Sequence, residues 1–249
     1  MIDIDKARTR SVDNLQRLYT VVVSLAVTES LKGLLSNVSS GGVLPTYDRW
    51  LMFVSLIVTV IPFYHGANRY LDATYVTGER SARYSALMLD FIALFAEGLL
   101  LFVLAMISNN ENIFYTALAG LLIFDTIWVG TTNLTASTES DKVPRYFMWA
   151  LINVIASCLL CLFVWSHLFD MPVWKNLIAR SIALMVVVII RTVIDYIWVW
   201  QFYYPKGESV QVNPIPAPPP ATPPKSEPKE HTNTPASTAT ADIRKLASS

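Results

Sequence analysis

Four charged residues lie deep inside long apolar stretches of this sequence: Glu97, Asp125, Arg191 and Asp195. A charge in hydrocarbon is costly, and such residues usually face a bundle interior or a water-filled path. Arg191 is the most informative, because an arginine cannot lose its proton and therefore needs a carboxylate or a wet cavity. These residue types suit a proton or ion path, a gate whose ion pairs rearrange, or a structural ion-pair network.

The partners of Arg191 can be ranked by their depth along the apolar stretches. Glu97 is the first expected partner and Glu29 the second, while Asp195, four residues further along the same helix, is the local option. Glu29 also has Lys32 three residues away, so these two side chains are expected to neutralise each other.

Further polar residues extend this predicted core. Asp90 precedes Glu97 by seven residues and so shares its helix face. His65 is a candidate proton-sensitive element, because the unperturbed pKa of histidine is about 6.5. Arg69 and Asn153 are secondary candidates, the first near a span end and the second on a small, hydrogen-bonding face.

The elements that position these residues are six apolar stretches, each about long enough to cross a bilayer as a helix. The predicted spans are 18–36, 50–70, 84–107, 113–131, 146–168 and 178–202. Charged residues make up 15% of the chain, against roughly 25% in soluble domains. The fold class is therefore predicted as all-α, a polytopic membrane protein with a bundle of six transmembrane helices.

The chain divides into three predicted regions. Residues 1–17 form a cytoplasmic N-terminal arm, 18–204 the transmembrane domain, and 205–249 a disordered cytoplasmic tail rich in Pro, Ala, Ser and Thr. Lys and Arg are more frequent in the N-terminal arm and in the loops on its side of the membrane. This bias predicts the cell (inner) membrane as the location, with both termini in the cytoplasm.

A weak internal repeat suggests three copies of one helical hairpin. The ends of spans two, four and six read FYHGANRY, IFDTIWVG and VIDYIWVW. Aligned, they put His65, Asp125 and Asp195 at equivalent positions, with Trp128 and Trp198 three residues after the two aspartates. Internal repeats are common in transporter folds.

Several other classes of protein are disfavoured. The net charge is zero and there is no basic cluster, which argues against nucleic-acid binding. Cys158 and Cys161 have metal-ligand spacing but lie in an apolar helix without a nearby histidine, so they are expected to be buried, inert thiols. No cofactor or metal motif is present, and no catalytic motif predicts an enzyme, although an intramembrane hydrolase remains an alternative.

The leading hypothesis is a channel or transporter that moves ions or protons through its charged core. The alternative is a non-conducting scaffold or sensor subunit that acts through its tail. The expected partners are the lipid bilayer, further copies of the chain in a homo-oligomer, and a cytoplasmic protein that binds the tail.

Overall fold

The computed structural model describes residues 4–39, 42, 44–77, 84–134, 146–165 and 177–204, and this part of the chain is all helical. The helices are α1 (Ile4–Ser39), α2 (Tyr47–Leu71), α3 (Tyr84–Met106), α4 (Glu111–Leu134), α5 (Tyr146–Trp165) and α6 (Leu177–Tyr203). A π-helical segment, Asp72–Val76, continues α2 without a break. All six helices are long and apolar enough to cross a membrane, which confirms the predicted helices.

Helix α1 begins at Ile4, well before the start of the predicted span at residue 18. The reason is an apolar stripe, with three- and four-residue spacing, that runs through both segments. Its buried members are Val12, Leu15, Tyr19, Val23 and Ala26. Much of the segment predicted as a separate arm is thus helix that packs on the bundle, whereas the predicted tail, 205–249, lies outside the described residues.

The helices pack in the order α1, α3, α4, α5, α6 and α2, and α2 closes the set by contacting α1 again. Helix α2 also contacts α3 and α4, so it has the most central position. We call the end where α1 begins and α6 ends the terminal end. Here Gln16 donates a hydrogen bond to Oδ1 of Asp72 at 2.9 Å, and Arg69 Nε donates to the main-chain oxygen of Phe202 at 2.8 Å.

The core of the half away from the terminal end combines large apolar side chains with a few buried polar residues, such as Ser55 and Glu111. One fully buried leucine comes from each of the helices α2 to α6, and we call this set the leucine layer. Its members are Leu56, Leu101, Leu118, Leu160 and Leu184. On α3, α4 and α6 these leucines lie one or two helical turns beyond the buried charged residues of the terminal half.

The outer surface of the bundle is apolar. Large side chains such as Val21, Ile61, Ile92, Ile127 and Ile190 are each more than half exposed. Soluble monomers rarely expose contiguous apolar surface of this extent, whereas a lipid-facing surface requires it. Cys158 is exposed on this surface and Cys161 is only partly buried, so the prediction of two buried thiols is wrong for Cys158.

Candidate functional site: a polar cavity in the terminal half

A cavity of about 70 Å³ lies in the terminal half, lined by residues of α2, α3, α4, α5 and α6. Its charged lining residues are Glu97, Asp125, Arg191 and Asp195. Its aromatic lining residues are Phe63, Tyr70, Trp128, Trp149, Phe202 and Tyr203. Since roughly 10–15 Å³ accommodates one water molecule, the space suits a few waters or one small ligand.

The structure brings the four predicted core residues together, although they come from three different helices. Glu97 is on α3, Asp125 on α4, and Arg191 and Asp195 on α6. All four are buried, with exposed fractions of 2%, 7%, 3% and 1% respectively. Buried charges of this kind need close polar partners, and the partners explain the geometry of the site.

Arg191 is held by a neighbour that its predicted partners did not include. Its Nε donates a hydrogen bond to Oδ1 of Asn153 on α5 at 2.8 Å, and its Nη1 lies 3.5 Å from Oδ2 of Asp195. The Cζ atom of Arg191 also lies 5.5 Å from the centre of the Phe63 ring, a cation–π contact. Asp195, the local option, is therefore the ion-pair partner.

The two partners ranked first for Arg191 have other contacts. Glu97 accepts a hydrogen bond from the hydroxyl of Tyr19 on α1. Glu29 lies near the far end of α1 and pairs with Lys32 at 3.4 Å, which confirms that expectation and makes Glu29 wrong as a partner of Arg191. The expected order of partners used only the depth of each residue along its helix. The observed pairing also depends on the direction in which each side chain leaves its helix.

Two tyrosines, Tyr19 and Tyr203, hold carboxylates of the site. Tyr19 is buried beside Glu97, and the hydroxyl of Tyr203 donates to Oδ2 of Asp195 at 3.2 Å. Sequence reasoning did not single out Tyr19 as a site residue. The available signal was its position on the apolar stripe of α1, which placed a phenol in the interior.

Three polar atoms of cavity-lining side chains have no hydrogen-bond partner among the described residues. They are Nε1 of Trp128 and Nη1 of Arg191, which are donors, and Oδ1 of Asp195, an acceptor. All three side chains are at least nine-tenths buried. Buried polar atoms are nearly always satisfied, so water or a ligand is the expected partner.

Asp90 is buried just outside the cavity lining. Its Oδ2 accepts hydrogen bonds from the hydroxyls of Tyr70 at 3.0 Å and Tyr75 at 2.6 Å. Tyr70 is itself a lining residue, so Asp90 fixes one wall of the cavity from behind. Tyr75 belongs to the π-helical segment, and Asp90 therefore also ties α3 to that segment.

His65 and Arg69 lie at the terminal end, outside the lining. The His65 ring is partly buried, 4.8 Å from the ring centre of Tyr203, and its Nδ1 lies 3.2 Å from the hydroxyl of Tyr196. Of the three residues aligned by the predicted repeat, Asp125 and Asp195 thus line the cavity and His65 is separated from it by Tyr203. Arg69 binds the main chain at Phe202 and braces α2 against α6.

A second buried charge joins α4 to α6 at the end opposite the terminal end. Glu111 accepts a hydrogen bond from Nε of Arg180 at 2.7 Å and another from the hydroxyl of Ser181. Sequence reasoning missed this contact, because both charged residues lie near span edges where water-exposed positions are usual. Because the carboxylate of Glu111 is paired with both groups, we assign this contact a structural role that links α4 to α6.

Comparisons with protein-family models, curated proteins and solved structures found no match. In the cavity, three carboxylates face one guanidinium, so full ionisation would leave an excess of negative charge in a buried space. Such an excess is costly, and a bound proton or cation would offset it.

Proposed function

We propose that this chain is a small integral membrane protein that moves ions or protons, and that the polar cavity is its translocation site. The observation that supports this is the convergence of Glu97, Asp125, Arg191 and Asp195 on one cavity inside an apolar bundle. A purely structural network would be expected to satisfy its own polar atoms. Here Asp195 keeps an oxygen without a partner in the described part of the chain.

A transporter fits the architecture better than a continuously open pore. None of the leucine-layer residues lines the cavity, and these buried leucines lie beyond it, so the cavity does not run through the bundle. Exposing the cavity to each side in turn would require helices to rearrange around it, which is the general mode of secondary transporters. Helix α2 has two features suited to such movement, Pro62 at the cavity and the π-helical segment that follows its last turn.

The proposal places the protein in the cell membrane with both termini in the cytoplasm. The terminal end of the bundle, and with it the cavity, then lies in the cytoplasmic half. The lipid bilayer covers the apolar outer surface, and the tail is free to bind a cytoplasmic protein. No catalytic role is assigned to any of the residues.

The test is a flux measurement on the purified full-length chain in liposomes under imposed pH and potassium gradients. The expected result is proton or ion flux above that of empty vesicles, reduced at least tenfold in Asp125→Asn. The matched control is Glu29→Gln, which also removes a carboxylate but lies outside the cavity and is expected to retain the flux. Absence of proton, metal-ion and organic-cation flux across pH and potential, from protein that is folded, would overturn the proposal.

A truncation after residue 204 separates transport from the scaffold alternative. Transport through the cavity predicts that the truncated chain keeps its flux while Asp125→Asn loses it. A scaffold that acts through its tail predicts the opposite order in a cellular assay, with tail removal harmful and Asp125→Asn tolerated.

A further inference from the structure

We propose that the cavity binds a small organic ammonium ion that also carries a hydrogen-bond acceptor such as a hydroxyl group. This inference rests on the proposed function, because it names the substrate class of the same cavity. The aromatic walls, the charge balance and two of the unpartnered atoms of the lining support it.

The walls of the cavity favour an organic cation over a bare metal ion. Six aromatic side chains line it, among them Trp128 and Trp149. Aromatic faces attract alkylammonium groups by cation–π interaction and by contact with their CH groups. A small, hard cation needs a shell of several oxygen ligands instead. The contact between Arg191 and the Phe63 ring is an instance of cation–π recognition within this cavity.

The charge balance favours a further cation, because three carboxylates face one guanidinium. Arg191 is engaged by Asn153 and Asp195. Within the described ranges, neither Glu97 nor Asp125 has a basic group within ion-pair distance. Both line the cavity, so a bound ammonium ion would face two carboxylates that lack a cationic partner.

Two of the three unpartnered atoms specify the rest of the ligand, since the third, Nη1 of Arg191, already lies 3.5 Å from Oδ2 of Asp195. Oδ1 of Asp195 accepts a hydrogen bond and suits an ammonium N–H, whereas Nε1 of Trp128 donates one and suits a hydroxyl or carbonyl oxygen. The ligand must also be small. The cavity has a volume of about 70 Å³, whereas a cavity that binds benzene has a volume of about 150 Å³. A compact amino alcohol of a few heavy atoms meets all of these requirements.

The test measures binding to the purified full-length protein in lipid nanodiscs by calorimetry at neutral pH and constant ionic strength. Three probes of nearly equal size are compared. Ethanolamine carries both groups, n-propylammonium replaces the hydroxyl by a methyl group, and ethylene glycol replaces the ammonium by a second hydroxyl. Ethanolamine is expected to bind most tightly, n-propylammonium about tenfold more weakly because it lacks one hydrogen bond, and ethylene glycol not detectably.

Two variants assign the contacts. Trp128→Phe removes the indole N–H and is expected to abolish the preference for ethanolamine over n-propylammonium. Asp195→Asn is expected to weaken both ammonium probes. Trp50→Phe is the matched control, because Trp50 is 43% exposed and outside the cavity lining, and it should leave both affinities unchanged.

The outcomes distinguish this inference from the proposed function. Proton or inorganic-ion flux without binding of either ammonium probe would overturn the inference and leave the transport proposal intact. Binding without flux of any kind would overturn transport and keep the ammonium site. Equal binding of ethylene glycol and ethanolamine would also overturn the inference, since the carboxylates would then contribute nothing.

Discussion

The hydroxyl of Thr192 on α6 donates a hydrogen bond to the main-chain oxygen of Val58 on α2, 3.3 Å away. Val58 precedes Pro62 by four residues, and a proline has no N–H to donate to that oxygen. A side chain of the neighbouring helix thus replaces the missing helical hydrogen bond. Because Pro62 lines the cavity, this contact also fixes α6 against α2 beside the site.

We expect Thr192→Val to lower the free energy of unfolding by about 1 kcal/mol, because it leaves the Val58 oxygen without its donor. In a Pro62→Ala background the alanine N–H can bind that oxygen, so the same substitution should cost less. A double-mutant cycle on detergent-solubilised protein measures the coupling. If the effects of the two substitutions on the free energy of unfolding are strictly additive, the Thr192 hydroxyl does not replace the missing hydrogen bond to the Val58 oxygen.

Tyr19→Phe is expected to destabilise the protein by roughly 1–3 kcal/mol, since it removes the hydrogen bond to a buried carboxylate, Glu97. Tyr64→Phe is the matched control. The Tyr64 ring stacks on Tyr19, but its hydroxyl contacts Thr20 at an exposed position, and the change should cost less than about 0.5 kcal/mol. Thermal unfolding compares the two variants, and equal effects would contradict the assigned role of Tyr19.

Arg191→Met is expected to cost roughly 3–5 kcal/mol, because it leaves buried carboxylates without their cation. Adding Asp195→Asn removes one of these charges and should restore part of the loss. Urea or thermal unfolding of the single and double variants checks this. If the second substitution lowers stability further, the ion pair between Arg191 and Asp195 is not the dominant contact of the arginine.

Gly98→Ala and Gly120→Ala test the packing of α1 on α3. A Cβ atom at Gly98 would lie 2.9 Å from Cγ1 of Val22, whereas at Gly120 it would meet nothing within 4 Å. Replacing a helical glycine by alanine favours the helix by about 1 kcal/mol, so Gly120→Ala should be neutral or stabilising. Gly98→Ala should be destabilising relative to it, and equal thermal midpoints would show that α1 adjusts freely.

Cysteine accessibility tests where water reaches the interior of the bundle. In a background without Cys158 and Cys161, Val199→Cys places a thiol at the cavity, and Val188→Cys places one deeper on α6, outside the cavity lining. A membrane-impermeant thiol reagent applied from the side of the terminal end is expected to label position 199 and spare position 188. Protection of both in folded protein would mean that the charged residues form a dry structural network.

The sequence by itself determined the six helices and the presence of charges in the bundle interior. Apolar runs of membrane-spanning length have few alternatives to a helix, and residues such as Arg191 and Glu97 cannot face lipid at low cost. Contacts within one helix were also predictable, because helical geometry sets them, as with Glu29 and Lys32.

Only the tertiary structure decided which side chains meet. The helical period gives the relative directions of residues on one helix, but not the rotation of that helix against its neighbours. Rotation and packing placed Asn153 on Arg191, Tyr19 on Glu97, and the Trp128 indole at the cavity. His65, although aligned with Asp125 and Asp195 in sequence, was turned away from the cavity for the same reason.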